Sequence, residues 1–297
     1  MMCLACYDSF SGLIFVRQHR HEKVMTRPSS SKRILLGDIP SKIYDDITQT
    51  LKTYAIGLFG VRSPGPDETI QYVGSGTFVK AGGNFYFLTA TRVWRELERY
   101  PEIGVAITQS AHRLSIQTEY ITATTVAPWR SPEWGPDIAF LRIPDSYIGT
   151  ICAHATFCDL LRQKQVAPTL DIPTGLWAFL GAPEWKSEIS PKIAKLAGSA
   201  YFSGVDASHR KGQFDYLDIG VDVTTDEELR RSFGGVSGGG LWHIVLTTPT
   251  DANRYTWGRS LEGVAFYESP ISHGRRIIRC HARRSIFELG LGALGVA

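Results

Sequence analysis

Residues Phe233 to Trp242 read Phe-Gly-Gly-Val-Ser-Gly-Gly-Gly-Leu-Trp, one serine among five glycines. No helix or regular strand tolerates that density of glycine, because each one adds backbone entropy and removes a packing side chain. The run must therefore be a tight, irregular turn. An apolar segment, Leu241 to Leu246, follows directly and reads as a strand. Glycines in such a turn can fold successive N–H groups inward as a concave nest. A nest beside a hydroxyl is what acyl transfer needs: a nucleophile next to donors for the oxyanion. A plain Gly-rich turn between strands is the competing reading, and this run alone does not decide between them.

Two upstream segments do. Gly74 to Val79 and Phe87 to Val93 flank a Gly82-Gly83-Asn84 turn, so they form a hairpin that ends in a short helical turn at Val93 to Arg99. Gly135-Pro136-Asp137-Ile138-Ala139-Phe140-Leu141 places an acid at the head of an apolar strand. The order of Leu-Thr-Ala-Thr-Arg (88–92), Asp-Ile-Ala-Phe-Leu (137–141) and Gly-Val-Ser-Gly-Gly (235–239) resembles the chymotrypsin/trypsin-like serine peptidases. Their patterns are Leu-Thr-Ala-Ala-His, Asp-Ile-Ala-Leu-Leu and Gly-Xaa-Ser-Gly-Gly, in the chain order His, Asp, Ser. The resemblance covers about residues 50 to 285, and the last motif is most similar to bacterial intracellular members.

The resemblance implies an all-β fold of two six-stranded antiparallel barrels, with short helices before the first barrel and at the C-terminus. It implies Ser237 as nucleophile and Asp137 as the acid. The Gly235 and Ser237 N–H groups would form the oxyanion hole. Gly263 to Tyr267 would be the strand that pairs with a bound peptide, with Ala265, Phe266 and Tyr267 as substrate-binding residues. Arg231, six residues before Ser237, falls where the specificity pocket holds its key residue, and would make that pocket cationic; a solvated charged loop with Asp226, Glu228 and Arg230 is the competing reading. Val236 replaces the aspartate of secreted members, so activation by N-terminal cleavage is not expected.

One departure outweighs these matches. The histidine position holds Arg92. A general base must release its proton near working pH. Arginine's pKa exceeds about 12, so roughly one guanidinium in 10⁵ or fewer is neutral at pH 7, and it carries no acceptor lone pair. Two functions stay open: a pseudoprotease that keeps a cleft for a peptide or protein ligand or for a regulatory role, and an active serine endopeptidase whose base comes from another residue. His112, His154, His209, His243, His273 and His281 are the candidates for such a base, and none lies in a motif. Arg92 with Asp137 can instead form an ion pair that fills the old triad.

Composition bounds the rest. The chain has 297 residues, 43% hydrophobic, with net charge +3, too little charge to argue for nucleic acid. No apolar run is long enough for a membrane span. Five cysteines at irregular spacing suggest no disulfide framework and a cytoplasmic location. Cys3, Cys6, His19 and His21 approach a zinc-finger pattern but leave one residue between the histidines, where such sites need about three to five. No metal or other cofactor is therefore assigned. The basic residues Arg275, Arg276, Arg279, Arg283 and Arg284 read as a solvated edge rather than a phosphate site. The expected organisation is a disordered leader at 1–45, a first barrel at 46–145, a connector at 146–172 and a second barrel with its C-terminal helix at 173–290. Residues 1–24 stand apart from the rest, with Met25 as an alternative start.

Overall fold

The computed structural model describes residues 39–62, 69–107, 113–165, 176–186, 188–190, 193–195, 198–224, 227–247 and 256–296. The leader's cysteines and histidines, Met25, His112 and Asp226 lie outside them.

The chain opens with a helix at Ser41–Lys52. Ile43, Ile47 and Leu51 recur at spacing four, one face of a 3.6-residue period, and Ile47 and Leu51 are fully buried. Eight strands follow: β1 (Ala55–Arg62), β2 (Thr69–Ala81), β3 (Asn84–Thr89), β4 (Glu102–Ile107), β5 (Arg113–Gln117), β6 (Thr122–Thr125), β7 (Ala139–Arg142) and β8 (Cys158–Asp159). They form one sheet in the order β5-β4-β1-β2-β3-β7-β6, with β8 added in parallel to β2. The second half contributes β9 (Leu176–Gly181), the small hairpin β10 (Glu188–Ser190) and β11 (Ile193–Lys195), β12 (Ser199–Ser203), β13 (Val205–Lys211), β14 (Phe214–Asp222), β15 (Gly240–Thr247), β16 (Thr256–Glu268) and β17 (Arg275–His281). Apart from the hairpin these build a seven-stranded antiparallel sheet, β12-β9-β15-β16-β17-β14-β13.

The fold is all-β, but it is not two closed six-stranded barrels. The first sheet is an open half-barrel: its path ends at β5 and β6, and no pairing joins them among the described residues. β6 is a short, partly exposed Thr-Ala-Thr-Thr run with little apolar surface to bury by closing. The second path ends at β12 and β13, also unjoined. Only Gly204 separates those two strands, too short for the two-residue loop that a hairpin requires. The sheets bury apolar surface against each other instead. One cluster takes Val79, Leu88 and Phe140 from the first sheet and Leu176, Trp242 and Leu261 from the second.

The C-terminal turn also differs from an ordinary helix over 282–289. It is a π-helix at Ser285–Gly290 continued by a short α-helix at Leu291–Ala293. Asp215 holds its start, accepting from the Arg284 and Ser285 N–H groups. A helix at Asp145–Cys152 occupies the first part of the expected connector, and no helix of the described residues is long and apolar enough to cross a membrane.

Candidate active-site cleft

The glycine run forms the turn that enters β15. Gly235 and Gly238 have φ of 91° and 92°, a region costly for residues with a side chain. At Gly238 space is closed as well, since a Cβ would lie 2.0 Å from the Ser75 carbonyl oxygen. Gly238 N–H donates to the Ala265 carbonyl at 2.8 Å, Ala265 N–H to the Gly239 carbonyl at 2.8 Å, and Ser75 N–H to the Ser237 carbonyl at 2.9 Å. Both sheets therefore fix the backbone at Ser237. The Gly234 carbonyl accepts from Glu184 N–H at 2.9 Å and the Val236 carbonyl from Gly239 N–H at 2.8 Å. In a trans peptide the N–H points opposite to the preceding carbonyl. The Gly235 and Ser237 N–H groups thus face away from these inner contacts, and neither donates to another described residue. The Ser237 hydroxyl also makes no hydrogen bond among the described residues.

Two residues that sequence reasoning missed hold this turn. The buried Ser75 hydroxyl donates to the Gly235 carbonyl at 2.7 Å and accepts from Ala182 N–H at 2.9 Å. The Tyr72 hydroxyl lies 2.6 Å from the Ala182 carbonyl and 2.8 Å from that of Gly235. Burial pushes the Tyr72 phenol well above its ordinary pKa, so it remains a donor. Tyr72 and Ser75 sit on β2, over a hundred residues from Ala182 and Gly235, and although Ser75 falls in the Gly74 to Val79 segment nothing local signals this role. Ser75→Ala should leave the Ala182 N–H without its acceptor and remove one donor from Gly235, lowering stability by about 1–3 kcal/mol. Urea unfolding measures this; a loss under about 0.5 kcal/mol would mean that Ser75 does not support the turn.

Arg92 is the second residue of the helix Thr91–Leu97, which starts just after β3. Its N–H is one of the helix's orphan donors, and it donates to Asp137 Oδ1 at 2.9 Å. The side chain adds Nε to Asp137 Oδ2 at 2.5 Å and Nη2 to the Pro132 carbonyl at 3.0 Å. Asp137 is fully buried, whereas the Arg92 side chain keeps 35% of its exposure. Burial raises the Asp137 pKa, and the Arg92 charge and hydrogen bonds pull against that rise.

Behind the pair, His281 Nε2 accepts the Asp137 N–H at 2.9 Å. Its ring stacks on Phe266 with centroids 4.4 Å apart. Burial, then the Arg92 charge, depress its pKa to about 3. It is a neutral imidazole whose only acceptor nitrogen is already occupied. His281 stands at the end of β17 without a local signal.

Arg92 and Ser237 line one cleft of about 330 Å³, together with Phe233, Val236, Tyr267 and Glu268 among others, and no histidine is among its lining residues. Ala265 and Phe266 line it too. Both backbone groups of Ala265 serve the serine turn, however. β15 pairs with β16 only as far as Gly240↔Val264, so Phe266 to Glu268 have no strand on that side among the described residues. Arg231 is exposed and is not part of the cleft lining. The charge there is Glu268, whose carboxylate accepts from the Ser232 hydroxyl at 2.9 Å and Phe233 N–H at 3.0 Å and meets Arg276 at 2.6 Å.

Only part of the C-terminal arginine run is a solvated edge: Arg275 is exposed, whereas others of the run are buried. Arg275 meets Asp206, Arg276 Glu268, Arg279 Asp218, Arg283 Glu262 and Arg284 Glu288. Arg276 and Arg279 are buried. The acids that pair with them lie on other strands or in the next turn, so the sequence run looked unbalanced only locally.

No family model matches the chain, and no curated protein sequence matches it. Among solved structures, the active form of the Rv3671c protease from M. tuberculosis is similar at a TM-score of 0.48 and 13% identity, over 93% of this chain and 96% of that one. A Sesbania mosaic virus structure, concerned with coupled folding and binding of the intrinsically disordered VPg protein, is similar at a TM-score of 0.44 and 14% identity, over 80% of this chain and 88% of the other. At such distances no residue role transfers from either protein.

Proposed function

We propose that this chain is a trypsin-like serine peptidase homologue that has lost its general base and keeps the cleft to bind a peptide. The observation that carries the proposal is the pair of hydrogen bonds from Arg92 to Asp137, from its backbone N–H at 2.9 Å and from Nε at 2.5 Å. A guanidinium held there takes up the carboxylate that would orient an imidazole, and it cannot accept the Ser237 proton. Ser237 keeps the nucleophile position and Gly235 the oxyanion position, without proton transfer between them. The cysteine content favours a cytoplasmic setting.

A fluorophosphonate probe tests this directly, because it reports an activated serine without a known substrate. Ser237 should label no faster than an ordinary serine. Rapid stoichiometric labelling that disappears in Ser237→Ala would overturn the proposal and favour an active peptidase with another base.

A further inference from the structure

The cleft has an unusual balance of donors and acceptors. The Arg92 side chain is one third exposed, whereas its counter-charge on Asp137 is fully buried. A ligand in the cleft therefore meets the cation and not the carboxylate. Nε and Nη2 are used by Asp137 and Pro132, and Nη1 has no hydrogen bond among the described residues. Ser237 lines the same cleft and brings its hydroxyl and its outward-facing N–H. All of these can donate. The one carboxylate in the lining, Glu268, is already occupied by Ser232, Phe233 and Arg276.

An array of donors with a fixed positive charge selects an anion that accepts several hydrogen bonds. A neutral peptide carbonyl could use the Ser237 donors but not the charge. A carboxylate uses both, one oxygen at the Ser237 donors and the other at the guanidinium. The rest of the lining narrows the choice. Phe233, Val236, Phe266 and Ile278 supply an apolar wall next to the donors, and the uncovered backbone edge from Phe266 to Glu268 can pair with an extended chain. Inorganic phosphate has no use for either feature.

Resting on the reading that Ser237 is not activated, we infer that the cleft binds the free C-terminal carboxylate of a peptide whose last side chain is apolar. The substitution of arginine at position 92 then converts a hydrolytic site into one that recognises a chain end.

The test uses the full chain and fluorescence anisotropy with N-terminally labelled octapeptides of mixed sequence that end in Leu or Phe, as the free acid or the C-terminal amide. The acid should bind at least about tenfold tighter than the amide, the range of a charge-assisted hydrogen bond. The preference should weaken with added salt, and peptides ending in Asp or Lys should bind more weakly. The double variant Arg92→Met/Asp137→Asn leaves no unpaired buried charge, so it keeps the fold testable; its preference for the acid should fall to within about twofold. Equal binding of acid and amide, no binding up to about 1 mM, displacement by phosphate as effective as by peptide, or an undiminished preference in the double variant would each overturn the inference. Fluorophosphonate labelling of the same preparation separates the two failures: labelled Ser237 overturns the pseudoprotease reading, whereas unlabelled Ser237 with indifferent peptide binding overturns only the carboxylate inference.

Discussion

On the proposed reading that Ser237 has no base, Arg92→His is expected to activate it, raising the rate of fluorophosphonate labelling by on the order of 10³ or more. The helix N–H at position 92 stays on Asp137 Oδ1, since that bond at 2.9 Å is made by backbone. Imidazole Nδ1–H can then replace the Nε contact with Asp137 Oδ2, which leaves Nε2 as an acceptor toward the cleft that holds Ser237. Nucleophile and base act as a unit, so loss of the base alone costs about 10⁶ in turnover and its return can recover much of that. The turn around Ser237 needs no rearrangement, because Gly235 and Ser75 already hold it. Labelling of the variant should rise with pH as the imidazole loses its proton, and should vanish in Arg92→His/Ser237→Ala. A folded Arg92→His protein that labels at background would mean that the oxyanion turn is not competent, and the assignment of Ser237 as a nucleophile position would fall with it.

The parts of the site legible in the sequence are those with a local signature. Ser237 announces itself through the glycines, Asp137 through the apolar strand that follows, and Arg92 through its place after Phe87 to Ala90. His281 was only a histidine without a motif, because its partner Asp137 lies 144 residues away. Tyr72, Ser75 and Glu268 were missed for the same reason: their roles exist only once the two sheets pack. The hairpin strands β2 and β3 and the strands that follow Asp137 and the glycine run are legible from apolar runs and turn residues, but β13 is not. Its Ser208-His209-Arg210-Lys211 stretch is polar because it lies at the end of the sheet, paired on one side with β14. Ile193–Lys195 is the second arm of a small hairpin, and Ser199–Ser203 forms β12. Closure of the sheets was the largest misreading. Strand count and spacing say nothing about whether the first and last strands meet, and here a one-residue link and a short polar strand keep both sheets open.

The Arg92–Asp137 pair should also govern stability, unequally from its two ends. Arg92→Met leaves a carboxylate that is fully buried, and removing one partner of a buried pair costs about 3–5 kcal/mol. Asp137→Asn should cost less, about 1–3 kcal/mol. The amide oxygen still accepts the Arg92 N–H, and a side chain already one third exposed can turn its guanidinium to water. The double variant should lose less than the sum of the two. The pH dependence fixes the sign independently. Burial holds the Asp137 pKa above its ordinary value, and Arg92 opposes that rise, so Arg92→Met should raise it further. A carboxyl whose folded pKa exceeds its unfolded value binds more protons folded than unfolded. Its contribution is then fully present below the ordinary carboxylate pKa and is lost as pH rises through the folded value. The deficit of Arg92→Met relative to the natural chain should thus be largest near neutral pH and shrink in acid. Urea unfolding of the three variants across that range measures both effects. Small, additive losses that do not change with pH would mean that Arg92 spends its time in solvent and that Asp137 is satisfied by backbone alone.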